Sequence, residues 1–555
     1  MKRHAVLLAS LAALGCPSEG AEAPTADGSS TTATDSTTGR DSTATTEVAT
    51  TEIATTEAST TEASTSTSTG SVGSSGSTTD DNECDREQLL CDEECVDPLV
   101  DLEYCGASGD CQGDDSGTTC ERGQACVDGE CVSTQGWGTE EIIDAGVASV
   151  HPRIAMNAQG QALVVYEEQG EPVSNGMATH FDPAASGWTD AAVFEQVPWN
   201  VSRPDVALDP AGNAFTVWTS VTETLNTPQV SRWDTAMQAW GVAQELGGNP
   251  IEFDIQVATD AAGNAMVVYR RQGGGGAPAY AHRYEVGGSW TLATNLDDDF
   301  VGDLPQLAMD PDGNVMAVWQ RVAFSPVLAA RRYDVMSATW GDLELIDPSV
   351  SALPRTARAA ADTQGNVFVV WQPFGDQFIF AKRWDAGSQS WGPTQTINDD
   401  SWFSAGFPDV AADASGNAIA VWHQRATSDE DPAHVFASRW DAGMGSWSVF
   451  EQIDDAERPT ETPDVAMDSN GDALVVWIAH DPATNGLDVG GTRYDVESGM
   501  WEPPVAVEDT PGDVYVGPVE LDAGPQVAID DRGRGLAVWT QDIEGVVRVL
   551  ANRYE

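Results

Sequence analysis

The residues best suited to do chemistry are carboxylates and aromatics gathered in a few short stretches. Asp297, Asp298, Asp299, Phe300 and Asp303 form one; Asp399, Asp400, Trp402 and Phe403 form another. Asp454, Asp455 and Glu457 make a third, and Glu508, Asp509, Asp513 and Tyr515 a fourth. Adjacent carboxylates suit a hard divalent cation such as Ca²⁺, which prefers oxygen ligands. An exposed aromatic beside polar groups suits a sugar ring, which needs an apolar face with hydrogen-bonding neighbours. The candidate ligand-binding residues are therefore Trp199, Trp402, Phe403, Phe300 and Tyr515, and the candidate metal ligands are Asp297, Asp298, Asp299, Asp399 and Asp400. The competing reading of all of them is solvated acidic loops with locally packed aromatics.

A second cluster holds imidazoles. His423, Asp429, Glu430, Asp431 and His434 fall close together, with His480 and Asp481 at the matching place about fifty residues on. No H-x-x-H or H-E-x-x-H spacing accompanies them. No nucleophile–base pair or nucleotide loop stands out, so no catalytic residue is assigned. No cofactor is required, and Ca²⁺ is the one ion that the acidic stretches would suit.

These stretches are the variable parts of a repeat. A turn of the D-x-x-G-N type, with Asn157 in place of the Asp in the first copy, a short apolar run ending in an aromatic, and R-Y-D or its like followed by Trp recur eight times, as in Asp310–Asn314, Trp319 and Arg332–Asp334 with Trp340. The run-ending aromatics are Tyr166, Trp218, Tyr269, Trp319, Trp371, Trp422, Trp477 and Trp539, spaced by 50 to 62 residues. Each unit contains four short segments rich in Val, Trp and Tyr and punctuated by Gly, Asp and Pro, which reads as strands. In the turn, the Asp carboxylate accepts from its own backbone and the Gly supplies the left-handed residue. Metal binding by these Asp residues would demand eight equivalent sites. Of 19 Trp, 17 occupy repeat positions, leaving Trp199 and Trp402 outside the framework. A buried aromatic contributes roughly 4–6 kcal/mol gross, so the repeated Trp residues read as the packing between units.

The third strand ending in Y-D or W-D, with a Trp after a short turn, resembles the kelch type of β-propeller. The D-x-x-G turn is similar to the Asp-box of sialidase-like propellers. The kelch double glycine is absent, and the aromatic follows the turn Gly by six residues rather than three. The resemblance covers residues 134–555 and implies a fold, not an activity. A sialidase would add a set of ligand-binding Arg and a Tyr nucleophile. Arg153 in H-P-R-I resembles the start of such a set, but the other Arg residues mostly belong to the repeat.

The repeat frame accounts for both ends of this region. The last copy stops in its third strand at Tyr554, and Trp137 to Ile143 matches a fourth strand. Pairing of the two closes a ring of eight blades with no free edge between first and last. The first-to-second and third-to-fourth turns are short and repetitive. The other two connections share the opposite face and vary, and all the stretches above lie there.

Ahead of the repeat, residues 1–15 resemble a lipoprotein signal peptide, which implies lipidation of Cys16 and export to the outer membrane or cell surface. Residues 16–80 are a Ser/Thr-rich segment that cannot bury enough apolar surface to order, and read as a disordered linker. Residues 81–133 hold Cys84, Cys91, Cys95, Cys105, Cys111, Cys120, Cys126 and Cys131, a spacing that reads as a disulfide module of open connectivity, with zinc as the competing reading. The module resembles small Cys-rich modules of bacterial surface lipoproteins. The formal charge of −62 argues against nucleic acid and against a basic membrane-binding patch, leaving the lipid as the membrane contact.

The expected fold is all-β: an eight-bladed β-propeller of about 50-residue four-stranded repeats, behind a small disulfide-rich module and a linker. The expected function is a lipid-anchored surface protein that presents the propeller to an extracellular glycan or a surface protein. A sialidase-like or lyase enzyme, and a structural coat or stalk, are the alternatives.

Overall fold

The computed structural model describes residues 136–555, apart from 171–172, 185–186, 196–198, 223–225, 248–250, 272–276, 298–300, 323–326, 347–353, 374–376, 400–402, 429–430, 482–485, 511 and 516–523; ahead of residue 136 it describes residues 89–91, 94–96, 107–108, 117, 124–127 and 130–133. Cys16, Cys84, Cys105, Cys111 and Cys120 lie outside the described residues. Two hairpins hold the other cysteines, Leu89–Cys91 with Glu94–Val96 and Gln124–Val127 with Glu130–Ser133; Cys126 lies opposite Cys131 in the second.

From Trp137 onward every sheet is an antiparallel blade, and there are eight. The fourth runs Val301–Met309, Val315–Val322, Val327–Asp334 and then Thr339–Trp340. The fourth strand is interrupted, as Thr339–Trp340 and Glu344–Leu345. Trp340 pairs with Tyr333 and Glu344 with Ala330, so one extra residue bulges between its two halves. First strands of neighbouring blades touch around the ring, from the last blade back to the first, and so form the inner wall. Second strands carry the packing aromatics: Trp218, Trp319, Trp371, Trp422, Trp477 and Trp539 are at most 2% exposed. Each packs into a cluster drawn from two adjacent blades, such as Phe368, Val370, Trp422 and Phe436 across blades five and six.

The closure expected from the sequence is formed. Glu141–Ile142 pairs with the last strand, Val546–Tyr554, and Trp137 bridges Tyr554 edge to face at 5.4 Å. Asp144 clamps the join: its buried carboxylate accepts from Arg548 Nε at 2.7 Å and from the Val549 N–H at 2.6 Å.

The repeated turn shows why its residues recur. Asp310 Oδ1 accepts from the Asn314 N–H and Oδ2 from Asn314 Nδ2, both at 2.8 Å. Asn314 Oδ1 in turn accepts from the Val335 N–H, tying this turn to the third-to-fourth turn of the same blade. Gly313 has φ +92, and a Cβ there would lie 2.5 Å from Asp260 Oδ2 of the preceding blade. The glycine is thus needed for backbone shape and for contact between blades.

Candidate functional site

The variable face is built where each fourth strand ends. Eight apolar residues, Ile143, Phe194, Leu246, Leu296, Ile346, Ile397, Ile453 and Val507, each donate their N–H to a third-strand carbonyl. The residue that follows is polar at most of these ends. Asp297 accepts from Trp319 Nε1 at 2.7 Å and from Arg321 Nε at 2.8 Å. Asp454 accepts from Gln452 at 2.8 Å and from Thr460, and sits 3.1 Å from His434 Nδ1. Glu508 accepts from Gln541 Nε2 at 3.2 Å, and burial pushes its carboxyl up to about 7.

The first junction departs from this pattern. Glu195 is 6% exposed, and its Oε2 has no hydrogen-bond partner. Across the junction Trp218 Nε1 and Ser220 Oγ, the counterparts of Trp319 Nε1 and the Arg321 side chain, are also buried without partners. Burial pushes the Glu195 carboxyl up to about 7, and the neighbouring Glu168 charge adds to the effect. A carboxyl in this state carries a proton near neutrality, and it has hydrogen-bonding capacity that its own protein does not use. The same connection carries Trp199 to the surface at 48% exposed, with Val193 at 47%.

The other sequence candidates are spread over this face. Phe403 is 43% exposed. Tyr515 is half-buried and lies along the last blade, exchanging bonds with Thr540 through its backbone. Asp399 is half-buried, and its carbonyl accepts from Gln424. Asp297 is the buried clasp described above. Trp402, Phe300, Asp298, Asp299 and Asp400 lie outside the described residues. Of the imidazole cluster, Asp429 and Glu430 lie outside the described residues; His434 faces Asp454, His480 lies 4.0 Å from Glu461, and Asp431 binds Thr427 and Ser428. His423 is buried against Phe407, and burial lowers it to about 4. Among the described residues no group of three or more His, Cys, Asp or Glu is gathered to hold a metal.

Sequence reading did not anticipate a polar ring in the central channel. Arg153, Asp205, Gln256, Gln306, Arg358, Asp409, Asp464 and Gln526 occupy one register position, each opposite the Val before the packing aromatic. Asp205, Gln256, Asp409 and Asp464 accept from a first-strand N–H of the next blade, at 2.8–3.1 Å. Burial and the neighbouring Asp409 raise the Asp464 carboxyl well above the usual range. The ring follows a bulge at which His151, Arg203, Leu304, Thr356, Phe407 and Thr462 hold positive φ. Five of the six precede Pro, whose missing N–H leaves no donor stranded at the bulge. The hydrogen bonds of Asp205, Gln256, Asp409 and Asp464 make the ring a tie between neighbouring blades.

No protein-family model matches the chain, and no curated protein matches it. Solved propellers do. The Dos1 propeller aligns with TM-score 0.45 and 9% identity, over 76% of this chain and 95% of that one. An ulvan lyase bound to -[GlcA(1-4)Rha3S]- aligns with TM-score 0.41 and 10% identity, over 61% and 89%. A Penicillium chrysogenum α-L-arabinanase complexed with arabinobiose aligns with TM-score 0.36 and 11% identity, over 54% and 98%. The protein is an eight-bladed β-propeller, and the count rests on its own eight sheets.

Proposed function

We propose that the propeller is a glycan-binding module, held at the cell surface by a lipid on Cys16, and that it takes its ligand on the variable face at the junction of blades one and two. The observation that carries this reading is that one connection holds exposed Trp199 and, four residues before it, buried Glu195 with an unpartnered oxygen. An indole face covers the apolar side of a pyranose, and a neighbouring carboxyl exchanges hydrogen bonds with its hydroxyls. The test is a glycan array probed with the full chain and with Trp199→Ala. Retained folding with lost binding supports the reading; unchanged binding to the same glycans refutes it. Release of Cys16→Ser from the membrane fraction tests the anchor.

A second reading is favoured by one observation. Glu195 holds its proton near neutrality, which suits an acid that protonates a glycosidic oxygen. Turnover of a bound glycan that is lost in Glu195→Gln, with binding kept, would make the module an enzyme.

A further inference from the structure

On the opposite face, at the outer rim between blades six and seven, lies a groove of about 320 Å³. It contains the odd member of the repeated arginines. Arg232, Arg283, Arg332, Arg383, Arg493 and Arg553 each form an ion pair with a framework carboxylate. In blades two, four and five the partner is the Asp two residues on, at 2.8–3.5 Å. Arg439 has the same Asp two residues on, Asp441, yet forms no ion pair among the described residues. Its guanidinium lies over the Tyr494 ring at 5.6 Å, as Arg283 lies over Tyr333 and Arg383 over Trp440, so the missing ion pair is what sets it apart.

The walls of the groove are of two kinds. Tyr494 and Trp501 supply an aromatic corner, set edge to face at 5.3 Å. Asp441, Ser446, Ser448 and Glu451 line the rest of the groove, and Glu451 accepts from Trp501 Nε1 at 3.1 Å. A guanidinium with unused donors matches a planar carboxylate, to which it can donate two parallel hydrogen bonds. Aromatic rings match the C–H face of a pyranose, and the hydroxyls and carboxylate match its hydroxyls. A peptide carboxylate would use only the first of these three features. The chain's charge of −62 gives an anion no long-range attraction, so recognition must come from contact within the groove.

From Arg439, which forms no ion pair among the described residues although Asp441 and Glu451 line the same groove, we infer that the groove between blades six and seven is a binding site for a hexuronate residue of an acidic polysaccharide. It is separate from the site around Trp199, and it does not depend on that reading.

The test is titration of the full chain with D-glucuronate, D-glucose and acetate, followed by calorimetry or ligand-observed magnetic resonance. Glucuronate should bind at least about ten-fold more tightly than either control, since only it presents both carboxylate and ring. Arg439→Gln should abolish the preference at unchanged melting temperature. Arg439→Lys, which keeps the charge but not the planar fork, should retain part of it, and this variant decides the matter if the glutamine variant does not fold. Trp199→Ala should keep the preference whole. Equal binding of glucuronate and glucose overturns the inference, as does acetate binding as well as glucuronate. Loss of the preference in Trp199→Ala, with Arg439→Gln unaffected, places the uronate on the variable face and also overturns it.

Discussion

Replacing Asp144 with Ala removes the clamp that holds the ring shut. The Asp144 carboxylate has no exposure and accepts from Arg548 and from the Val549 N–H, across 404 and 405 positions of chain. Breaking one side of a buried ion pair costs about 3–5 kcal/mol, chiefly because the other charge is left without a partner. Arg548 keeps 19% exposure, so water can recover part of that loss, and a cost of about 3 kcal/mol is expected. At roughly 2.1 cal/mol/K per residue over about 420 residues, the unfolding entropy is about 0.9 kcal/mol/K, so the melting temperature should fall by about 3 °C. The local effect should be easier to see. Trypsin cleaves after Arg548 and Arg553, both within the last strand, and should nick the variant there while sparing the parent. Adding Arg548→Ala removes the stranded charge, so the double variant should be no less stable than the single one. An unchanged melting point together with an unchanged tryptic pattern would show that the clamp does not hold the ring.

Two further outcomes follow from the turns and from the unpartnered acid. Gly313→Ala should cost about 2–4 kcal/mol in urea denaturation, combining left-handed backbone strain with collision against Asp260. Gly287→Ala, at φ +78 with no atom within 4 Å of the new methyl, should cost only the backbone share, about 1–2 kcal/mol; equal costs would refute the contact between turns. For Glu195 the folded carboxyl titrates near 7 against an ordinary 4.5, so the folded state binds the proton more tightly. Its stabilising contribution is present below about 4.5 and is lost as pH rises through about 7. Glu195→Gln should therefore match the parent at low pH and exceed it increasingly toward pH 7 in pH-resolved melting; a constant difference would refute the shift.

Much of the fold was legible because its residues act locally or repeat. Asp310, Gly313 and Asn314 announce a hairpin by turn chemistry, Trp319 repeats at the blade period, and Trp137 matches Trp340 closely enough to reveal the closing strand. In the sequence Leu304 and Pro305 look like the end of a strand. In the structure they are a bulge within Val301–Met309, and only tertiary pairing can hold Leu304 at positive φ. The ring from Arg153 to Gln526 was hidden for the same reason, although its members stand at one register position. Asp297 reads as a candidate metal ligand in sequence because nothing in D-D-D tells that its first carboxylate folds under Trp319. Glu195 gave no signal at all. Its oddity lies in what Trp218 and Ser220 fail to offer it, and that comparison needs the blades superposed.

The composite last blade sets a clock. Glu141–Ile142 leaves the ribosome about 400 residues before the strand that receives it. At roughly 5–20 residues per second, that is about 20–80 seconds of synthesis during which the strand has no partner. Bringing ends so far apart together costs about 5 kcal/mol in chain entropy, which Trp137 and Asp144 help to offset only once Val546–Tyr554 exists. Until then the seven finished blades present an open edge, and whatever keeps nascent chains apart must shield it.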